Sequence, residues 1–301
     1  MLKNTVALTV AGSDSGGGAG IQADIKTFSA CGVYAASVVT AVTAQNLEGV
    51  RAIQGIQPEM VEEQLRAVLE GYPVKAAKTG MLFSRAIVDA VADVFAGYRH
   101  IPIVVDPVFA ATSGGRLIKP GTIRVLSRRL FPLAALVTPN VPEAEYLLGR
   151  ELLTVDDLRE AGQDLFRRYG VPFLMKGGHL PGAADRKSAS PRVATIQEAV
   201  SARAATIQEA VSPWGTAVDL LVDGRGVKSF SAEAVRTVNS HGSGCTFSAA
   251  IAAYLARGRS LPVAVGEAKL FITASLRRPH YLRPGLRVIN HFGRQGKLVK
   301  R

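Results

Sequence analysis

The sequence predicts a three-layer α/β domain on a mostly parallel sheet. Three observations carry this reading. Short apolar, β-branched runs alternate with segments of helical spacing along most of the chain. Polar and glycine-rich stretches fall just after strands, where open α/β sheets bind ligands. A late glycine-rich turn, within NSHGSGCTFSAAIAAYLARG at 239–258, runs straight into a helix.

In chain order, residues 5–11 read as a central strand, followed by GSDSGGGAGIQADIKTFSACG, a glycine-rich turn opening a helix. The glycine spacing does not fit a dinucleotide fingerprint, so the turn is read as wrapping a small ligand. Asp24 lies on that helix; it either favours the helix dipole or touches substrate. Residues 33–45 form a strand ending in polar Thr43, Gln45 and Asn46. Residues 58–70 form a helix with Pro58 at its start, and KAAKTGML at 75–82 forms a strand. Residues 84–97 form an amphipathic helix capped by Ser84. Met81 is either core or a soft wall for a flat ring.

IPIVVDPV at 101–108 is a buried parallel strand ending in Asp106, an acid too costly to bury unpaired. A helix over 121–131 and a strand ending at Thr138 follow. Asn140 then precedes a helix that carries Glu143 in its first turn. Asp106, Asn140 and Glu143 are hard oxygen donors, suited to holding Mg²⁺ through waters beside a polyphosphate. A capped helix at 154–169 leads to a strand within 171–179, followed by Lys176, Gly177, Gly178 and His179. A lysine and two glycines after a strand suit a phosphate. His179 is either part of this site or a polar loop residue.

RVATIQEAVSA at 192–202 is followed by RAATIQEAVSP at 203–213, a near-exact 11-residue duplication. With the breaker-rich stretch before it, 180–213 is read as a helical or flexible insertion in one domain spanning 1–301. Residues 218–230 read as a hairpin around Asp223-Gly224, residues 262–278 as a last helix, and the tail beyond as weakly patterned.

At the central turn, Gly242, Ser243 and Gly244 present backbone N–H groups at a helix N-terminus, an anion hole for phosphate. Cys245 falls in the first helical turn, where the same field favours thiolate; the other reading is a glycine turn before a packed helix, with a buried inert cysteine. No GKS or GKT follows, so this is not a Walker A loop.

Hydrophobic residues make up 48% of the 301 residues, enough for a sizeable core. Two cysteines, Cys31 and Cys245, make no disulfide framework and suggest a reducing compartment. No run of 18 apolar residues suggests a membrane span, and the N-terminus is too briefly apolar for a signal peptide; the expectation is a cytoplasmic protein. The net charge of +12 is spread as short basic pairs without interleaved aromatics. That argues against nucleic acid and suits phosphorylated small molecules.

AGSDSGGGAGIQADIKTF, TAVTAQN, VVDPV, TPNVPEAE, LMKGGH and HGSGCTFSAAIAAYLARG, in this order, resemble the hydroxymethylpyrimidine/phosphomethylpyrimidine kinases of thiamine biosynthesis, of the ribokinase-like superfamily. The resemblance runs from about residue 5 to residue 278, and VINHF extends it. It implies a ribokinase-like α/β/α sandwich and two successive ATP-dependent phosphorylations, of the aminopyrimidine's hydroxymethyl group and then of the monophosphate. It places Gly12, Asp24 and Gln45 on the aminopyrimidine, with Met81 against the ring. It places Cys245 at the base-like position and Lys176 by the ATP phosphates. Asp106, Asn140 and Glu143 are set around Mg²⁺ and its waters, and a homodimer is implied. Thr112 and Gly115 stand where the family usually has lysine and aspartate, and Ser240 and Ser243 where threonines are common. Loss of the lysine weakens handling of the monophosphate unless Arg116 or Lys119 compensates. A pyridoxal kinase with the same ATP machinery, and a weakly catalytic pyrimidine sensor, are the competing expectations.

Overall fold

The computed structural model describes residues 5–109, 117–178, 215–235, 241–284 and 286–292. The duplication at 192–213, and Thr112, Gly115, Arg116, His179 and Ser240, lie outside them.

Among the described residues, nine strands form one sheet in the order β3-β2-β1-β4-β5-β6-β7-β8-β9. The strands β1 (Val6–Asp14), β2 (Tyr34–Asn46), β4 (Val74–Thr79), β5 (Ile103–Val105), β6 (Leu136–Val137) and β7 (Phe173–Lys176) run parallel to their neighbours in that series. β3 (Gly49–Gly55), β8 (Thr216–Asp223) and β9 (Gly226–Glu233) pair antiparallel at the two margins. β5 is shorter than its apolar run suggests, because Pro102 and Pro107 flank it and neither has an N–H for the ladder.

Helices α2 (Pro58–Gly71), α3 (Arg85–Ala96), α4 (Thr122–Arg129), α5 (Val141–Leu148) and α6 (Val155–Tyr169) cover one face. Helices α1 (Gly20–Ala30), α7 (Ser243–Ala256) and α8 (Leu261–Arg277) cover the other. This is the mostly parallel α/β/α sandwich that the sequence predicts. Residues 246–253 of α7 are all buried, and four of them are alanines. A helix this apolar all round belongs between layers, and its small side chains bring its backbone close to the sheet. Capping is local and sequence-encoded. Ser84 accepts from Ile87 N at 3.3 Å, while Asn140/Glu143 and Thr154/Asp157 form capping boxes.

Two elements depart from the sequence reading. β3 is an exposed edge strand paired with β2, so no apolar run announces it. The tail, read as weakly patterned, forms a hairpin of β10 (His280–Arg283) and β11 (Leu286–Val288) and then buries His291. His291 Nε2 lies 2.9 Å from Thr246 Oγ1 in the first turn of α7. Burial, with the Lys26 charge adding to it, pushes this imidazole down from 6.5 to about 4. A depressed folded-state value means that the neutral form is favoured in the folded state. The stability this contributes is present above pH 6.5 and is lost as pH falls toward 4, about 3 kcal/mol in all. Urea unfolding across that window should show the loss, and His291→Gln should flatten that part of the profile.

Candidate active site

The site lies at the C-terminal ends of β1, β2, β4, β5 and β7, where they meet the N-termini of α1 and α7. At the end of β1, Asp14 is buried and its carboxylate gathers its own loop. Oδ1 accepts from Gly16 N at 2.8 Å, and Oδ2 accepts from Gly18 N at 3.0 Å and Ala19 N at 2.8 Å. Burial opposes the charge, but His241 and the Ala19 and Gly16 amides outweigh it and hold the carboxyl below the usual carboxylate range. The first glycine-rich turn therefore spends these amides on Asp14 rather than on an external anion.

The same turn touches the second glycine loop. Gly242 has φ +81°, and a Cβ there would overlap the carbonyl oxygen of Gly18. Only glycine satisfies both conditions. Gly12 is filled in a similar way: a Cβ there would overlap the methyl of Met81, which is itself buried. Gly12 and Met81 are thus in contact. Gln45, half-buried at the end of β2, has Nε2 3.2 Å from His241 Nε2.

α7 begins at Ser243 after Gly242, and no side chain caps it. Its first-turn amides at Ser243 and Gly244 are an anion-hole geometry. Cys245 Sγ accepts from the Gly20 amide, so the N-termini of α1 and α7 converge on it. Of the two readings of Cys245, thiolate or inert cysteine, the surroundings favour the second. Burial, reinforced by Asp106 and Asp24 and only partly offset by Lys78, raises the thiol to about 11. At neutral pH Cys245 is a thiol.

Asp24 has a partner that the sequence reading did not name. It is fully buried, with Lys78 Nζ donating to its two oxygens at 3.0 and 2.9 Å and Thr9 Oγ1 donating at 2.6 Å. Burial works against the Lys78 charge, but Asp24 beside it outweighs that and holds the ammonium above its usual range. Asp24 is the counter-ion of Lys78. Sequence reasoning missed Lys78. The available signal was a lysine inside an apolar strand, which needs a partner.

Asp106, Lys176, Asn140 and Glu143 do come together. Lys176 Nζ donates to Asp106 Oδ1 at 2.8 Å, Thr138 Oγ1 donates to the same oxygen at 3.2 Å, and Ser248 Oγ donates to Oδ2 at 3.0 Å. Burial would raise Asp106; Lys176 and Lys78 outweigh it and hold it below the usual range. Lys176 also stands beside Gly244, its Nζ 3.3 Å from where a Cβ on that glycine would lie. The ammonium therefore borders the first turn of α7. Its loop is fixed by Asp219, which accepts from Gly177 N at 3.1 Å and from Lys269 Nζ at 2.7 Å.

Asn140 and Glu143 are occupied with each other: Glu143 N donates to Asn140 Oδ1, and Asn140 N donates to Glu143 Oε2, both at 2.9 Å. Phe109 N approaches Glu143 Oε1 at 3.4 Å, on a turn in which Val108 has φ +38°, a strained value for a β-branched residue. Burial lifts Glu143 to about 7, with Asp106 adding and Lys176 opposing. Among the described residues no group of three or more His, Cys, Asp or Glu side chains is placed to hold a bare metal ion. Asp106 Oδ1 is taken by Lys176 and Thr138, while Asp106 Oδ2, Asn140 Oδ1 and the two Glu143 oxygens each accept one hydrogen bond and keep a lone pair, a set suited to the waters of a hydrated ion.

No helix among the described residues is long and apolar enough to cross a membrane. Residues 14–290 match the family model described as phosphomethylpyrimidine kinase. The chain is 44% identical over 284 residues to the thiamine biosynthesis bifunctional protein ThiED of Geobacter sulfurreducens, covering 94% of this chain and 51% of that protein. It thus spans about half of that longer relative. It is 41% identical to a hydroxymethylpyrimidine/phosphomethylpyrimidine kinase of Rhizobium meliloti, covering 97% of this chain and 98% of the relative. Among solved structures, phosphomethylpyrimidine kinase from Clostridium difficile 630 aligns with TM-score 0.70 and 37% identity, over 90% of this chain and 98% of that one. The ADP complex of Bacillus subtilis pyridoxal kinase aligns with TM-score 0.77 and 32% identity, over 96% of this chain and 98% of that one. With the family model matched over residues 14–290 and a relative of similar length 41% identical, the chain belongs to the phosphomethylpyrimidine kinase family.

Proposed function

We propose that this protein phosphorylates 4-amino-5-hydroxymethyl-2-methylpyrimidine with ATP, and then its monophosphate, giving the diphosphate used in thiamine biosynthesis. The observation that carries the reading is the placement of Lys176 against both Asp106 and Gly244. A fixed ammonium there borders amides that face a developing negative charge, and phosphoryl transfer needs positioning and charge neutralisation above all.

In this reading Gly12, Gln45 and Met81 form the ring pocket. Gln45 reads the ring edge and Met81 forms a soft wall. Ser243, Gly244 and Cys245 amides receive the transferring phosphoryl group. Cys245 is the nearest candidate to take the substrate's hydroxyl proton. As a thiol at neutral pH, it performs that role only once the charge balance around it changes on substrate binding. Lys176 binds the ATP phosphates while tethered to Asp106. Mg²⁺, when bound, supplies charge neutralisation between the phosphates; Asp106, Glu143 and Asn140 would hold its waters. The working protein is a cytoplasmic homodimer, each chain one kinase domain.

The test is ADP release from Mg-ATP with hydroxymethylpyrimidine, its monophosphate and pyridoxal, recording product masses. Both pyrimidines should turn over. Turnover of pyridoxal alone would move the assignment to vitamin B6 salvage, and binding of pyrimidine without turnover would make the protein a sensor.

A further inference from the structure

A threonine inside a helix usually turns its hydroxyl back onto a carbonyl of the preceding turn, and that bond bends the helix slightly. Helices α1 and α8 show the habit. Thr27 Oγ1 donates to the Ala23 carbonyl at 2.7 Å, and Thr273 Oγ1 donates to the Lys269 carbonyl at 2.8 Å. Thr246, in the first turn of α7, does otherwise. Its amide donates to the Gly242 carbonyl at 2.8 Å, but its hydroxyl leaves the helix and meets His291 Nε2 at 2.9 Å, 45 residues further along the chain.

Both side chains are buried, Thr246 completely. A buried hydroxyl hydrogen needs an acceptor, and among the described residues the Thr246 hydroxyl has no partner besides His291. Thr246 therefore donates, and Nε2 is the bare ring nitrogen. The ring hydrogen then sits on Nδ1, and the Ile289 carbonyl accepts from the ring. The segment that carries this imidazole is anchored in turn. Ile289 is buried in the same apolar cluster as Phe247 and Ala250 of α7, and Asn290 N reaches the Ser275 carbonyl of α8 at 3.4 Å.

The turn held in this way is the one that presents the Ser243 and Gly244 amides. Gly242, which opens it, has no slack, because it is pressed against the Gly18 carbonyl oxygen. A hydroxyl of Thr246 turned back onto Gly242 would pull on that residue and tilt the amides that follow it. We infer that His291 is a positioning residue for phosphoryl transfer: by drawing the Thr246 hydroxyl off its own helix, the C-terminal segment keeps the first turn of α7, and the amides it presents, in line for the transferring group. The catalytic half of this inference rests on reading those amides as the anion hole of the kinase; the hydrogen bond does not.

Two measurements test it. Nitrogen-15 NMR of the His291 ring at neutral pH, assigned by comparison with His291→Gln, reports the tautomer. The ring should carry its proton on Nδ1, with Nε2 bare; a proton on Nε2 in the unmodified protein overturns the inference. Steady-state kinetics, at a temperature where every variant is folded, read the consequence. His291→Leu should lower kcat about ten- to a hundred-fold, the usual cost of a small misplacement of transition-state donors. KM for ATP and for the pyrimidine should move far less, because the amides act on the transferring group and not on the bound ground state. His291→Gln, whose side-chain oxygen still accepts from Thr246, should keep kcat near the parent value. His291→Leu with Thr246→Val leaves no hydroxyl to turn back, and should turn over as Thr246→Val alone does. Losses that add, with the double variant below both single ones, would reduce His291 to packing and overturn the catalytic half, as would a parent-like kcat in His291→Leu. If no pyrimidine turns over in the parent, the kinase reading fails by itself, and the tautomer still decides the hydrogen bond.

Discussion

Replacing Lys78 with methionine is expected to lower the unfolding free energy by about 3–5 kcal/mol. The lysine and Asp24 are both fully buried, 54 residues apart in sequence, and joined at 2.9 and 3.0 Å. Without the ammonium, Asp24 keeps only the Thr9 hydroxyl and must either stay charged with no counter-ion or take up a proton. For a chain of this size that loss corresponds to a fall in Tm of roughly 10 °C. Asp24→Asn should destabilise in the same direction, since it strands the Lys78 charge. Lys78→Met with Asp24→Asn should recover most of the loss, because a neutral pair of similar volume strands no buried charge. Thermal unfolding of the three variants decides the matter. Were Asp24 a direct ligand of the pyrimidine, Asp24→Asn would raise KM while leaving Tm near the parent value, and the buried-pair account would fall.

That pair marks the limit of what the sequence carried. Periodicity located the strands and helices of the central sandwich, because a half-buried or fully buried element repeats its apolar residues at the period of its backbone. It missed β3, an edge strand whose residues are mostly solvent-facing, and the closing hairpin, whose ordered end depends on the contact of His291 with Thr246 across the fold. The glycine loops were legible for the same local reason: Gly242, at φ +81° and in contact with Gly18, answers to a backbone requirement visible as a residue type. Partnership between distant charges has no such local sign. Asp24 at a helix start looked like a dipole partner or a ligand contact, and Cys245 at another looked like a thiolate. What decided each was burial together with charges brought in from β4 and β5. Asp14, silent in sequence, organises the first loop because its carboxylate folds back onto three amides of its own turn.

Lys176→Met is expected to lower kcat by about 10²–10³-fold, the usual cost of removing one preorganised charge from a transition-state site. The geometry behind this is the double placement of the ammonium, 2.8 Å from Asp106 Oδ1 and beside Gly244 at the start of α7. A structural ion pair and a catalytic cation make different predictions for the double variant. If Lys176 only neutralises Asp106, then Asp106→Asn together with Lys176→Met removes both charges and turns over as Asp106→Asn alone does, since the cost of losing Asp106 on the metal side is common to both. If Lys176 acts on the phosphates, the double variant regains stability but falls well below Asp106→Asn in kcat, because the amides of α7 then face the transferring group without their neighbouring cation. The second outcome is expected, with Tm recovering toward the parent and kcat at least about a hundred-fold below that of Asp106→Asn. Equal kcat in the two variants would assign the lysine to folding alone and leave the α7 amides to work by backbone dipoles.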